Sequence, residues 1–265
     1  MKACITDCGG EESIEYRREY ELQFIIDNEQ TAVPEFTQER AFNGDPKREL
    51  PPIVREVAAP PESDHYESLD PGGRDLTAAL WATYVFEKDL VYIEDEQTWL
   101  NMTTDVLARD ALAKEVELWG TSPEGRIRRF ADNSNTILLY DLFVKHKLNF
   151  AVTAKDNKDA QINELRVMIR DGRLAIHPRC KLLIKTLRLA KRARQASRGF
   201  ERMEEIGHAD LLDALLYLIR NVRRREMPKA PQQRAAEAQV RTAPQPALNG
   251  DQQLARALGL GRFRR

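Results

Sequence analysis

Cysteine is scarce: only Cys4, Cys8 and Cys180 occur in 265 residues, too few and too scattered for a disulfide framework. The Cys4/Cys8 pair lacks a second Cys/His pair at a matching distance, so these read as free thiols and no zinc is assigned. No apolar run reaches membrane-spanning length and no signal-peptide pattern appears, so the expectation is a soluble, cytoplasmic chain with no membrane partner. No GxxxxGK[ST] loop occurs, which excludes an ATP site within the chain, and His65, His146 and His177 accompany no serine nucleophile motif. Positive charge is not in excess either: 41 Lys and Arg face 42 Asp and Glu, a net charge of −1. Any nucleic-acid signal must therefore lie in how charge is distributed.

What is present is enough for one main domain with appendages, at 42% hydrophobic and 31% charged residues. Residues 1–64 read as a lead-in, with a short apolar strand at 22–26 followed by Pro34, Pro46, Pro51, Pro52, Pro60 and Pro61. That proline density predicts little regular structure over 34–64 and a linker over 46–64. From His65 the pattern predicts strands at 65–70, 76–86 and 90–94, then a crossover helix within 98–119 ending at Gly120. A strand at 126–132, a helix at 136–147, a short extended piece at 148–153 and a helix at 157–170 follow. A strand at 173–177, a helix running from Pro178 through Arg194, and a last helix at 209–222 complete the domain. Beyond residue 225 the composition of Arg, Ala, Gln and Pro predicts a disordered basic tail over 226–265. The order of elements is that of the RNase H-like fold: an α/β domain with a mixed central sheet, three antiparallel strands and then parallel additions, flanked by helices.

Four aspartates carry the chemistry. Asp70 closes the first predicted strand and Asp132 closes the strand after the crossover helix. Were those strands parallel neighbours, their ends would lie about 4.8 Å apart and both carboxylates would enter one crevice. Asp210 and Asp213 share one turn at the start of the last helix. Taken singly, each reads as a turn former or a helix cap. Their joint placement points instead to two divalent ions gathered for phosphodiester hydrolysis. Around them, Glu94 in the run Glu94-Asp-Glu96 reads as a solvated turn with a possible ligand role, and Asp75 as structural but near enough to order the site. His208 reads as a polar residue at the helix start, placed to orient a ligand or touch a phosphate.

Basic residues suited to phosphate contact are Lys155 and Lys158 at one helix start, and Lys181, Lys185, Arg188, Lys191, Arg192 and Arg194, which recur every three to four residues opposite apolar positions. Alone this is a solvated helical face; beside a metal site it reads as a sequence-independent, salt-sensitive DNA track.

The motifs Ser68-Leu-Asp-Pro-Gly-Gly-Arg-Asp75, Phe130-Ala-Asp-Asn133, Gly172-Arg-Leu-Ala-Ile-His-Pro178 and Gly207-His-Ala-Asp-Leu-Leu-Asp-Ala-Leu-Leu-Tyr217 resemble the nuclease half of tailed-phage terminase large subunits. Tyr16-Arg-Arg-Glu-Tyr-Glu-Leu-Gln-Phe24 with Val33-Pro-Glu-Phe36 is similar to the closing segment of the terminase ATPase domain, which would make 1–45 the end of a missing motor half and the chain a fragment or split product. The resemblance implies a DNA endonuclease, a phosphodiester hydrolase that cuts double-stranded concatemers with Mg²⁺ or Mn²⁺, in which residues 65–225 form the nuclease domain. It puts Asp70 and Asp132 at the first two metal-ligand positions and leaves the third to Asp210 or Asp213. It also implies a small terminase subunit and a portal as partners, at the procapsid in the host bacterial cytoplasm. The other readings are a junction-resolvase type of RNase H-like nuclease and a non-catalytic module that grips DNA or docks on the portal.

Overall fold

Three long strands, each laid against the next, build the centre of the molecule. The computed structural model describes residues 31–60, 63–72, 76–120, 127–154, 156–193, 199–202 and 207–224. The elements are α1 (Gln38–Phe42), β1 (Asp64–Asp70), β2 (Thr77–Val85), β3 (Leu90–Trp99), α2 (Thr104–Trp119), β4 (Ile127–Ala131), α3 (Thr136–His146), β5 (Phe150–Val152), α4 (Lys158–Arg170), β6 (Leu174–Ile176), α5 (Lys181–Leu189) and α6 (Asp210–Asn221). They form a six-stranded sheet in the order β5-β4-β1-β2-β3-β6, with β2 antiparallel to both β1 and β3 and the outer strands parallel additions. This is the mixed sheet of the RNase H-like fold, as the order of elements predicts.

Strand alternation sorts the side chains into two cores. Tyr66, Ala78, Leu80 and Ala82 pack with α4, α5 and α6 on one face, while Leu69, Ala79, Trp81 and Ala131 pack with α2 and α3 on the other. Helix α6 lies in the middle of the first face and buries eight of its twelve residues. A helix apolar on nearly every side belongs inside such a layer, which fixes the position of its first turn against the sheet. Among the described residues, no helix is long and apolar enough to cross a membrane.

Several expectations are corrected. Residues 31–60 are not a loose lead-in and linker: Ala32, Val33, Phe36, Ala41 and Ile53 join the same core. Residues 53–55 bond along β6, with Ile176 N donating to Ile53 O at 2.9 Å and Arg55 N to Ile176 O at 3.0 Å. Proline limits this segment to α1 and a 3-10 turn at Pro46–Arg48, but it does not prevent burial. Strand β3 continues to Trp99 and absorbs the start of the predicted crossover helix, which begins at Thr104 behind an N-cap from Thr103. Helix α5 stops at Leu189 rather than Arg194, because Ala190 turns extended and its carbonyl accepts from Ala32 N at 2.8 Å. Lys191 and Arg192 are therefore in extended backbone, bridged to Thr31 and Phe200. The segments 1–30 and 225–265, with Cys4, Cys8, the 22–26 strand and the basic tail, lie outside the described residues, as do Asp75, Lys155 and Arg194.

Candidate metal centre

The crevice begins with strand register. β1 and β4 run parallel with Leu69 opposite Ala131, and Asp132 N donates to Leu69 O at 3.4 Å. Leu69 and Ala131 both face the α2 side, so the next residues, Asp70 and Asp132, face the α6 side. Asp132 is 1% exposed. The polar loop behind it is held by Asn135, whose side chain caps α3 by accepting from Leu138 N at 3.1 Å, and by Ser134, which donates to Pro71 O at 3.3 Å. That second bond ties the loop after Asp132 to the loop after Asp70.

Asp210 and Asp213 are the acidic residues of the first turn of α6, where the partial positive charge of a helix N-terminus favours carboxylates. Tyr217 lies one turn beyond Asp213 on the same side of the helix and is 7% exposed. Its phenol is pushed far above the ordinary tyrosine range, first by burial and then by the charges of Asp70, Asp213, Asp132 and Asp210. Elements far apart in sequence thus aim four carboxylates at one neighbourhood, in which Tyr217 keeps its proton.

The donor set is all carboxylate oxygen, the chemistry that hard divalent cations such as Mg²⁺ and Mn²⁺ select. In kind, the residues fit such ions. Their spacing is open: among the described residues, no group of three His, Cys, Asp or Glu is drawn together tightly enough to hold a metal ion. Part of the reason is Lys158, whose Nζ lies 2.6 Å from Asp213 Oδ1.

The remaining candidates divide. His208 is exposed just ahead of α6. Lys158, read as a phosphate contact, instead turns inward to Asp213. Lys181 and Lys185 are exposed on α5, Arg188 is half-buried on the same helix, and Arg192 Nη1 pairs with Asp159 Oδ1 at 3.0 Å. Glu94 does not join the aspartates. It is the extra residue of a β-bulge opposite Trp81 and Ala82, accepting from Trp119 Nε1 at 2.8 Å and from the Thr83 hydroxyl. Burial raises its carboxyl above the usual range. Its neighbour Glu96 caps α5, accepting from Leu182 N and Leu183 N at 2.7 Å each. The Glu94-Asp-Glu96 run is thus strand and cap rather than a solvated turn, because β3 continues beneath α5.

Two groups were missed from sequence. The first is Tyr217, which the spacing of Asp210 and Asp213 could have flagged as the next residue on their face. The second is a buried triad beneath α2, in which Arg129 Nε reaches Glu115 Oε1 at 2.6 Å and Glu67 Oε2 at 3.1 Å. Glu67 sits at a strand position that alternation assigns to the apolar α2 face, and an acid there was the available signal.

A parallel strand pair ending in two aspartates, with a buried helix bringing further carboxylates, is the working face of an RNase H-like nuclease fold. Among solved structures, the chain is similar to the full-length large terminase of a thermophilic bacteriophage, with a TM-score of 0.53 and 15% identity over 70% of this chain and 43% of that one. It is also similar to the large terminase nuclease of thermophilic phage G20c, with a TM-score of 0.50 and 14% identity over 72% of this chain and 98% of that one. The likeness is one of fold, that of the large terminase nuclease domain, and this chain matches less than half the length of the first of these proteins. No family model and no curated protein matches the sequence.

Proposed function

We propose that this chain is a metal-dependent endonuclease that cuts double-stranded DNA concatemers during viral genome packaging. The observation that carries the reading is the convergence of Asp70, Asp132, Asp210 and Asp213 on Tyr217. Asp70 and Asp132 hold the strand side of a divalent-ion centre, and the Asp210/Asp213 pair holds the helix side. Bound Mg²⁺ or Mn²⁺, two ions in this reading, supplies an activated water and charge stabilisation at the leaving oxygen.

The chain's own residues do the rest. Asp132, almost wholly buried, has its orientation set by strand pairing and by the capped loop behind it. Tyr217 stays protonated among the carboxylates and is available as a hydroxyl donor. Lys181, Lys185 and Arg188 offer cationic contacts to the phosphate backbone, a salt-sensitive grip that reads no sequence. The fold likeness to large terminases extends the proposal to their setting: a motor ATPase half, a small terminase subunit and a portal as partners, at the procapsid in the host cytoplasm.

Incubating the purified chain with supercoiled plasmid and Mn²⁺, beside a chelator control and Asp132→Ala, tests the reading. Nicked and linear products are expected only with metal and the intact aspartate. Plasmid left whole by the wild-type chain, or cut equally by the variant, would overturn it.

A further inference from the structure

Lys158 stands at the first position of α4, yet features of three segments are arranged around its ammonium. Its Nζ pairs with Asp213 Oδ1 on α6 at 2.6 Å, with side chains 34% and 23% exposed. It also lies 4.2 Å from the centroid of the Phe200 ring, within cation–π range. Phe200 is held by a short antiparallel pairing in which Ala193 N donates to Gly199 O at 3.0 Å and Glu201 N to Lys191 O at 2.9 Å. Gly199 has φ +72°, and a Cβ there would come within 2.7 Å of Nζ. Glycine therefore leaves the space the ammonium uses. A surface ion pair at a helix start would need neither the aromatic ring nor the glycine.

Beside this ammonium a cavity of about 630 Å³ opens, lined by Lys158, Asp159, Arg192 and Gly199 among others. The lysine thus has somewhere to go when it leaves Asp213. A divalent ion and an ammonium on one carboxylate would lie within a few ångströms of each other and repel in a partly buried setting.

We propose that Lys158 is a positioning residue that competes with a divalent cation for Asp213, so that metal loading and release of Lys158 toward the adjoining cavity are one event. This rests on the metal-centre reading given above.

The test is Mn²⁺ binding to the full chain, followed by the electron paramagnetic resonance signal of free Mn²⁺ and by calorimetry, with no DNA present. Lys158→Met should tighten Mn²⁺ binding by about five- to tenfold, the scale of removing one neighbouring positive charge from a partly exposed site. Lys158→Gln should reproduce the gain, and Asp213→Asn should both weaken binding and erase the difference between lysine and methionine. A purely structural lysine would lower the melting temperature without tightening Mn²⁺. Affinity that is unchanged or weaker in both Lys158 variants overturns the proposal while leaving the metal centre intact. A wild-type chain that binds no Mn²⁺, or that binds it no better than Asp132→Asn, overturns the metal centre and this inference together.

Discussion

On the α6 side of the sheet, Asp70 and Asp132 stand at the ends of β1 and β4 and face Asp210, Asp213 and Tyr217. On the α2 side, the same two strands supply Glu67 and Arg129, paired across the ladder and closed over by Glu115. Three residues along each strand separate one arrangement from the other, and an odd step in a strand reverses the face. In mid-strand, beneath a helix, the carboxylates end in a guanidinium and serve as structure. At the strand ends they border a crevice that a ligand can enter. Residue type is shared; distance from the end of the sheet decides the role.

The comparison can be broken from either side. The largest effect is expected from Asp132→Asn, which should lower Mn²⁺-dependent plasmid cleavage by on the order of 10³-fold while shifting the melting temperature by only a few degrees. A comparable loss of fold would move Asp132 into the structural class. Arg129→Met should do the reverse, leaving Glu67 and Glu115 buried without their counter-charge and costing about 3–5 kcal/mol in urea unfolding. Cleavage per folded molecule should stay close to wild type.

A smaller effect concerns the track rather than the centre. Replacing the exposed Lys181 and Lys185 with alanine should weaken DNA binding severalfold and reduce the slope of log K against log salt by about one for each phosphate no longer neutralised. Gel-shift titrations across a salt series read both. The smallest effect separates the two kinds of acid by pH. Burial, then the nearby Glu115 carboxylate, holds Glu67 well above its ordinary value of 4.5. A raised folded-state value means that its contribution to stability is complete below pH 4.5 and declines as pH rises through the folded value. Glu67→Gln should flatten that part of the decline in urea midpoints measured above pH 4.5, and an unchanged slope would mean that Glu67 is ionised in the fold.

Much of this was legible along the chain. Periodicity and caps located the strands and most helices, and turn residues marked Asp70 and Asp132 as strand ends. The segment 31–60 was misread because proline reports on backbone regularity and says little about burial: Val33, Phe36 and Ile53 are core residues in irregular chain. The basic stripe was overextended because helical spacing continues past Leu189, whereas the backbone leaves the helix at Ala190 to pair with Ala32. Lys158 could not be told from a solvated lysine, since Asp213 and Phe200 lie more than forty residues away in sequence.

Local pattern therefore determined the order of elements, the alternating faces and the identity of the four aspartates, because those depend on side-chain period and on turn chemistry between near neighbours. Tertiary structure alone decided that the aspartates converge, that Glu94 and Glu67 are enclosed on other surfaces, and that Lys158 rests on Asp213. Those outcomes depend on strand register and helix docking, where packing brings distant residues together and neighbouring sequence carries no record of it.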